Sequence, residues 1–452
     1  MPTASTPTTP TRERPIGTGR ARRLLSWAIE RPLGVLAAGI AVSVAGCFAM
    51  AMISGFMTDD GYYYALLARN IAAGRGWTFD GATTTNGAHP LLLGLETAVA
   101  ALGGPHLSNI LYYRALALAL ALVPIAFAVW LPRALGHALP DERQGAFPLA
   151  MALAIGALFL PAYQQLWWSG MESTLALPLG AAFVILWAQR RDVAAGFVGG
   201  ALVMSRLDTI VFFVLPLVAV RVLADLRGGA SWPRIVGSGV RLLWPTLTLV
   251  AAYSVFDLAK FGEVVPIHGA LKSSFPRLHI QLFQLFGAPA PLVSMLGWLQ
   301  VQGHYIFLAA VMAFILFRRR MDPVSRLTAV ALLLVYVLSQ ANYVLFQKWS
   351  KAVPTWYLWQ PLLAAWSALA LALVPMVSDR VARAAAVGLG LILPLTALSA
   401  VRILRFISFA TFVRRPRSGT TRTWTTCAPS PPTSCGLRPI AGSRASGAAA
   451  GW

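Results

Sequence analysis

Apolar runs of about 20 residues recur along nearly the whole chain, each long enough to cross a hydrocarbon core of roughly 30 Å as a helix. They fall at approximately 33–56, 108–131, 146–163, 171–188, 192–204, 208–224, 239–259, 292–317, 325–346, 356–377 and 384–405. Such a chain is expected to fold as an all-α polytopic membrane protein, a bundle of about 11 transmembrane helices by this spacing. Composition agrees. With 57% hydrophobic residues, 12% charged residues and a mean hydropathy of +0.65, there is too little polar side chain to cover a soluble globule. The first run is too long for the apolar region of a signal peptide and lacks a clear cleavage site, so it is expected to be retained.

A formal net charge of +21 would suit nucleic acid, but the arginines sit in short clusters between apolar runs, which orients helices rather than gripping phosphates. Residues 1–32 form a basic N-terminal tail, expected to be cytoplasmic because Arg12, Arg14, Arg20, Arg22 and Arg23 precede the first span. Every second loop is then basic: Arg133 and Arg143; Arg190 and Arg191; Arg221, Arg227 and Arg234; Arg318 to Arg320; Arg380 and Arg383. The outer face receives 57–105, 164–172, 205–208, 260–279 and 347–357, and with them all four lysines, at 260, 272, 348 and 351. An odd number of spans places the C-terminus outside as well. The excess of Arg over Lys, with abundant Ala and Gly, points to a GC-rich bacterial coding sequence and hence a bacterial plasma membrane. Cys47 lies in the first span and Cys427 and Cys435 in the tail, which supports neither a disulfide framework nor a zinc site.

One polar stretch interrupts this pattern. "MTDDGYYYALLARNIAAGRGWTFDGATTTNGAHPLLLGL", Met57 to Leu95, opens a first outer loop over 57–107. Asp59 and Asp60 stand just beyond the first span. Thr58 or Asp59 suits the N-cap of "GYYYALLARNIAAG", an amphipathic helix expected to lie at the interface and to stop at Gly74 or Gly76. The apolar piece "HPLLLGLETAVAALGG" is expected to re-enter or lie along the surface. A carboxylate at the membrane edge can also take a proton from an acceptor hydroxyl, or hold a divalent metal that neutralises a phosphate leaving group.

"TDDGYYYALLARNIAAGRGWTFDG" followed by "TNGAHPLLLGL" resembles the first outer loop of GT-C glycosyltransferases, polytopic enzymes that take a sugar from a polyprenyl-phosphate carrier. The likeness continues in "SGMES" at 169–173, "SRLD" at 205–208 and "FGEVVPIHGALKSS" at 261–274, and covers roughly 33–405. It implies a GT-C-type catalytic domain over 33–412, with interfacial helices in the large first outer loop and an active site on the outer face. It also implies that Asp59 is the general base or metal-proximal carboxylate, with Asp60 supporting it or exchanging roles. Tyr63, Arg69, Asn86, His89, Glu172, Arg206, Asp208, Lys272, Lys351 and Tyr357 become candidates for donor or substrate binding.

Each candidate also has a plainer reading. His89 can satisfy a loop carbonyl before Pro90. Glu172 suits a helix N-terminus because the macrodipole stabilises an acid there. Arg206 and Asp208 can form a salt bridge between two short apolar pieces, although ionisable groups near hydrocarbon are seldom idle. Lys272, one of only four lysines, suits the carrier phosphate or the charge on the departing group, with snorkelling at the interface as its plainer reading. Lys348, Lys351, Trp349, Trp356 and Tyr357, like Trp167 and Trp168, match an aromatic belt with anchoring lysines.

Residues 413–452 change character to Arg, Ser, Thr, Pro, Gly and Ala. This tail is expected to be disordered, and the abrupt switch resembles a GC-rich gene read in a shifted frame. The reading for the whole is a membrane glycosyltransferase acting on a polyprenyl-phosphate-linked sugar, with an envelope glycan, lipid or protein as acceptor. Membrane lipids are its surroundings, nucleic acid is not a partner, and a divalent metal, Mg or Mn, is possible, with Asp59 as a ligand. The rivals are a transporter or flippase of lipid-linked glycans, which predicts internal repeats, and a noncatalytic membrane scaffold.

Overall fold

The described part of each apolar run is mainly helical, because a segment with no polar side chain to spare must satisfy its backbone internally. The computed structural model describes residues 18–54, 59–104, 107–136, 146–160, 163–167, 169–264, 266–267, 273–274, 277–280, 295–348 and 357–395. All belong to one unit, Met1–Phe406. Residues 1–17, the tail 413–452, Lys272, Lys351, Trp168, Trp349 and Trp356 lie outside the described residues.

In chain order the helices are α1 (Thr18–Glu30), α2 (Pro32–Ser54), α3 (Asp59–Ala72), α4 (Pro90–Gly103), α5 (Asn109–Gly136), α6 (Ala146–Leu158) and α7 (Gln164–Trp167). Then come α8 (Ser173–Ala188), α9 (Asp192–Ser205), α10 (Leu215–Arg227), α11 (Trp232–Phe261), α12 (Met295–Phe317), α13 (Pro323–Leu345) and α14 (Trp359–Leu373). A last helix, α15, covers 379–395. There is no strand among the described residues, only isolated bridges at Thr78–Thr84 and Ser273–Gln347.

Five helical segments among the described residues are long and apolar enough to cross a membrane: Pro32–Ala49, Asn109–Gly136, Trp232–Phe261, Pro323–Leu345 and Trp359–Met376. The spacing of apolar runs predicts about 11. Much of the difference lies in α6, α8 and α9, which have 13, 16 and 14 residues. At 1.5 Å per residue they reach only about 20–24 Å, less than the roughly 30 Å of hydrocarbon. Burial explains their apolarity in another way. All of α8 except Leu179 is buried, so its uniform apolar surface meets protein on every side.

The bundle is built around two helices. α8 packs against α5, α9 and α14, and α14 packs against α6, α12 and α13 as well. Trp359 at the head of α14 is fully buried and fills the space left by Gly180 on α8. On α9, Gly196 faces the backbone of α11 so closely that a Cβ there would collide with the Leu242 carbonyl, and Thr246 Oγ1 donates to the Gly196 carbonyl at 2.8 Å. Small residues at such crossings let helix backbones approach closely. α8 and α9 form a hairpin closed by residues 189–191, so Glu172 before α8 and Arg206 after α9 emerge at its open end.

Candidate functional site

Glu172 stands at the N-cap position of α8 with its side chain buried. The exposed amides of a helix N-terminus favour negative charge there. Tyr64 on α3 donates its hydroxyl to Glu172 Oε1 at 2.7 Å, and the His89 N–H donates to that same hydroxyl oxygen at 3.0 Å. His89 Nε2 lies 3.5 Å from Glu172 Oε1. The start of α8, the middle of α3 and the turn before α4 therefore meet at one carboxylate. Burial, followed by the charge of Glu172, holds the Tyr64 phenol well above its ordinary pKa, which keeps it a donor. Glu172 Oε2 is buried and has no hydrogen-bond partner among the described residues.

Arg206 supplies the opposite charge. It leaves α9 in an extended conformation, φ −155° and ψ 108°, and its Nε and Nη2 hold Asp208 at 3.1 and 2.8 Å. The turn that follows widens into a π-helical segment, Ile210–Val214, where the Leu215 N–H reaches back to the Ile210 carbonyl. Pro216, lacking an N–H, gives no α-helical bond at this point, and widened turns of this kind are frequent at functional sites. The Arg206 guanidinium lies 3.7 Å over the Tyr357 ring, a stacking worth about 2 kcal/mol where water is excluded. The Tyr343 hydroxyl donates to the Tyr357 carbonyl at 2.7 Å and fixes that ring ahead of α14. Arg206 Nη1 remains buried with no hydrogen-bond partner among the described residues.

The two halves lie within electrostatic reach of each other. Tyr357 is within electrostatic reach of Arg206, Glu172, Asp208 and Asp60, and Arg206 is within reach of Glu172. Of the residues singled out in the sequence, the structure thus gathers Asp60, His89, Glu172, Arg206, Asp208 and Tyr357. Asp59 opens α3, but its side chain lies outside the described residues.

The loops around the site also meet. Asn86 Oδ1 accepts the Ile267 N–H at 2.9 Å, tying the first loop to the one after α11. Trp77 packs on Phe256 and Phe261 at the end of α11. The Ser274 N–H donates to the Phe346 carbonyl at 2.7 Å, which brings the same later loop to the end of α13. Tyr63 and Arg69 sit elsewhere. Tyr63 is exposed and meets Phe79 edge-on. Arg69 donates to Asn109 Oδ1 and to the Leu107 carbonyl, stacks over Tyr112, and so clamps α3 to the start of α5.

Two site residues were not singled out from the sequence. Tyr64 lies one helical turn after Asp60 and shares its face with the buried Leu67 and Ala68, whereas Tyr63 points away. Glu96 is the lone charge in α4 and lies on its buried face with Leu92, Leu93 and Ala100. A single acid on the apolar stripe of a helix was the available signal.

No family model, curated protein or solved structure matches the chain. Among the described residues, no group of three or more His, Cys, Asp or Glu side chains is placed to hold a metal ion. The arrangement brings together a buried guanidinium with an unused donor, a buried carboxyl with an unused acceptor, and the carboxylate-bearing start of α3.

Proposed function

We propose that the chain is a membrane glycosyltransferase of GT-C type. It moves a sugar from a polyprenyl-phosphate donor to a hydroxyl on a cell-envelope glycan, lipid or protein, at the outer face of a bacterial plasma membrane. The observation that carries the reading is Arg206, whose buried Nη1 has no partner among the described residues while Nε and Nη2 are fixed on Asp208. A guanidinium fixed along one edge, with a donor still unmatched on the other, suits a phosphate oxygen. Placed against the leaving phosphate, it would stabilise charge that grows as the glycosidic bond breaks.

The acceptor hydroxyl loses its proton to a carboxylate at the start of α3, with Asp59 as base and Asp60 beside it. Attack by that hydroxyl oxygen on the anomeric carbon expels the polyprenyl phosphate in one displacement with inversion. Glu172, held by Tyr64 near His89 and within electrostatic reach of Arg206, suits the sugar hydroxyls. Lys272 and Lys351 would complete the phosphate rim, and an 11-span topology would place these loops outside.

The test is transfer from radiolabelled polyprenyl-phosphate arabinose or mannose to envelope acceptor by the purified protein, comparing the wild type with Asp59→Asn and Asp60→Asn. Loss of a general base is expected to lower turnover about 10²–10⁴-fold. Full transfer by both variants would remove the base assignment, and no transfer by the wild type from any polyprenyl-phosphate sugar would remove the transferase reading.

A further inference from the structure

The C-terminal half of α14 borders a groove that the reaction above does not use. α15 is pinned near its far end. Gly390 lies so close to Val35 and Leu36 of α2 that a Cβ there would clash with their backbone, and Leu389 lies against Gly156 of α6. Toward its start, α15 faces α6 and α14 across a cavity of about 260 Å³. Ala154, Ala370 and Ala385 put only methyl groups into this gap, so side-chain packing does not close it. The wall is apolar, and the Nε1–H of Trp366 at its deep end is committed to the Tyr163 hydroxyl at 3.1 Å.

The length of the groove matches one leaflet. Its lining runs along α14 and the turn after it from Trp366 to Val377, about 16 Å at 1.5 Å per residue, or half of a hydrocarbon core of roughly 30 Å. Trp359–Met376 is one of the segments long and apolar enough to cross a membrane, so the groove reaches from the end of that segment to its middle. Water gains nothing from a wall without polar atoms, and an empty gap would forfeit dispersion contacts along its length. The mouth is cationic. Arg320 reaches the turn that bounds the groove, with Nη1 3.8 Å from the Met376 sulfur, and Arg380 stands between the lining residues Val377 and Val381. Among the described residues neither arginine has a carboxylate partner, whereas Arg383 pairs with Asp379 at 2.7 Å.

We infer that the groove seats an acyl chain of one anionic phospholipid, drawn from the leaflet on the arginine-rich side, with Arg320 and Arg380 holding its phosphate. An apolar slot alone accepts any lipid tail. Cations at its mouth select an acidic headgroup, each basic side chain near a membrane surface giving about a fivefold gain. None of the residues assigned to sugar transfer lines the groove, and the inference stands independently of the transferase reading.

Native mass spectrometry of the purified full chain in neutral detergent tests it, with dioleoylphosphatidylglycerol and dioleoylphosphatidylcholine as probes and glycerol 3-phosphate as the headgroup without tails. One phosphatidylglycerol is expected to bind on the order of tenfold more tightly than phosphatidylcholine, and glycerol 3-phosphate is expected not to bind. Arg320→Gln with Arg380→Gln should bring the two lipids to within about twofold of each other. Arg227→Gln with Arg234→Gln, an equal loss of charge on α10 and α11, should leave the preference intact. Ala385→Phe fills the groove from an exposed position and should weaken both lipids roughly fivefold or more by displacing the tail. Equal binding of the two lipids by the wild type would overturn the inference. So would a preference that survives the first double variant or disappears in the second, or lipid binding unchanged in Ala385→Phe. Glycerol 3-phosphate binding as tightly as phosphatidylglycerol would leave the groove without a role and overturn it as well.

Discussion

The two ends of the α8–α9 hairpin differ in how closely buried charges are matched. At the closed end, Asp192 is matched by Arg221 at 2.8 Å, by Arg241 at 3.8 Å and by the Ser238 hydroxyl at 2.9 Å. Beside it, Arg190 pairs with Asp225 at 2.7 Å, and a second Arg221 nitrogen donates to the Trp187 carbonyl. At the open end, Glu96, Glu172 and Arg206 all keep buried polar atoms without partners among the described residues. Buried atoms without hydrogen-bond partners occur at the closed end as well, Asp192 Oδ1 and Arg221 Nε among them, but the opposite charges there meet each other, whereas Glu96 at the open end has no ion pair among the described residues. Unmatched buried groups cost stability, and at the open end a ligand would remove part of that cost by supplying partners.

The widest separation between the ends is expected from Arg206→Met. Transfer should fall about 10²–10³-fold, the scale for losing one oriented donor at a developing anion. The thermal unfolding midpoint in detergent should move much less than in a closed-end variant. An equal fall in midpoint with activity per folded molecule retained would make Arg206 a structural cation and erase the contrast. Asp192→Ala tests the other side. Stripping Arg221 of its buried counter-ion is expected to destabilise the fold by about 3–5 kcal/mol, read from chemical denaturation, with turnover per folded molecule unchanged. Tyr64→Phe is a smaller step within the open end. It removes the hydroxyl that joins Glu172 to the His89 N–H, and a loss of roughly 1–3 kcal/mol in transition-state stabilisation is expected from the stranded groups, measured as kcat/KM.

The contrast also marks how far the sequence could be read. Apolar runs announced the helices, and the structure returns a helix for each, because backbone satisfaction leaves few alternatives. Their lengths were less legible. The run at 171–188 reads as a span by apolarity, yet α8 is apolar because protein surrounds it, and hydropathy alone does not separate burial in protein from burial in lipid. The short polar stretches at 169–173 and 205–208, set between apolar runs, drew attention to Glu172, Arg206 and Asp208. Their convergence was not legible, since it depends on the α8–α9 hairpin bringing positions 172 and 206 to one end. Among three consecutive tyrosines, composition gives no preference. Only the helical register from Asp60 selects Tyr64, and that register requires knowing which face of α3 is covered.

Asp80 provides the mildest test, in the same loop but outside the buried charge network. Its Oδ1 accepts the Ala82 and Thr83 N–H groups and the Thr78 hydroxyl, each at 2.8 Å, and Oδ2 accepts the Thr83 hydroxyl at 3.1 Å. These bonds, the Thr83 amide foremost, hold the carboxyl below its ordinary pKa in the folded chain. A folded-state value below the unfolded one contributes stability that is fully present above the unfolded value, about 3.9, and is lost as pH falls toward and through the folded value. Protection of the Ala82 and Thr83 amides from hydrogen exchange should therefore decline on acidification in the wild type. Asp80→Ala should already lack that protection at neutral pH and show no acid step of its own. Equal protection in the two proteins, with Tyr64 still bonded to Glu172, would mean that the turn is held by the Asn70 amide on the Thr78 carbonyl at 2.6 Å. The loop's order would then come from α3, the same helix that positions the site, rather than from its own carboxylate.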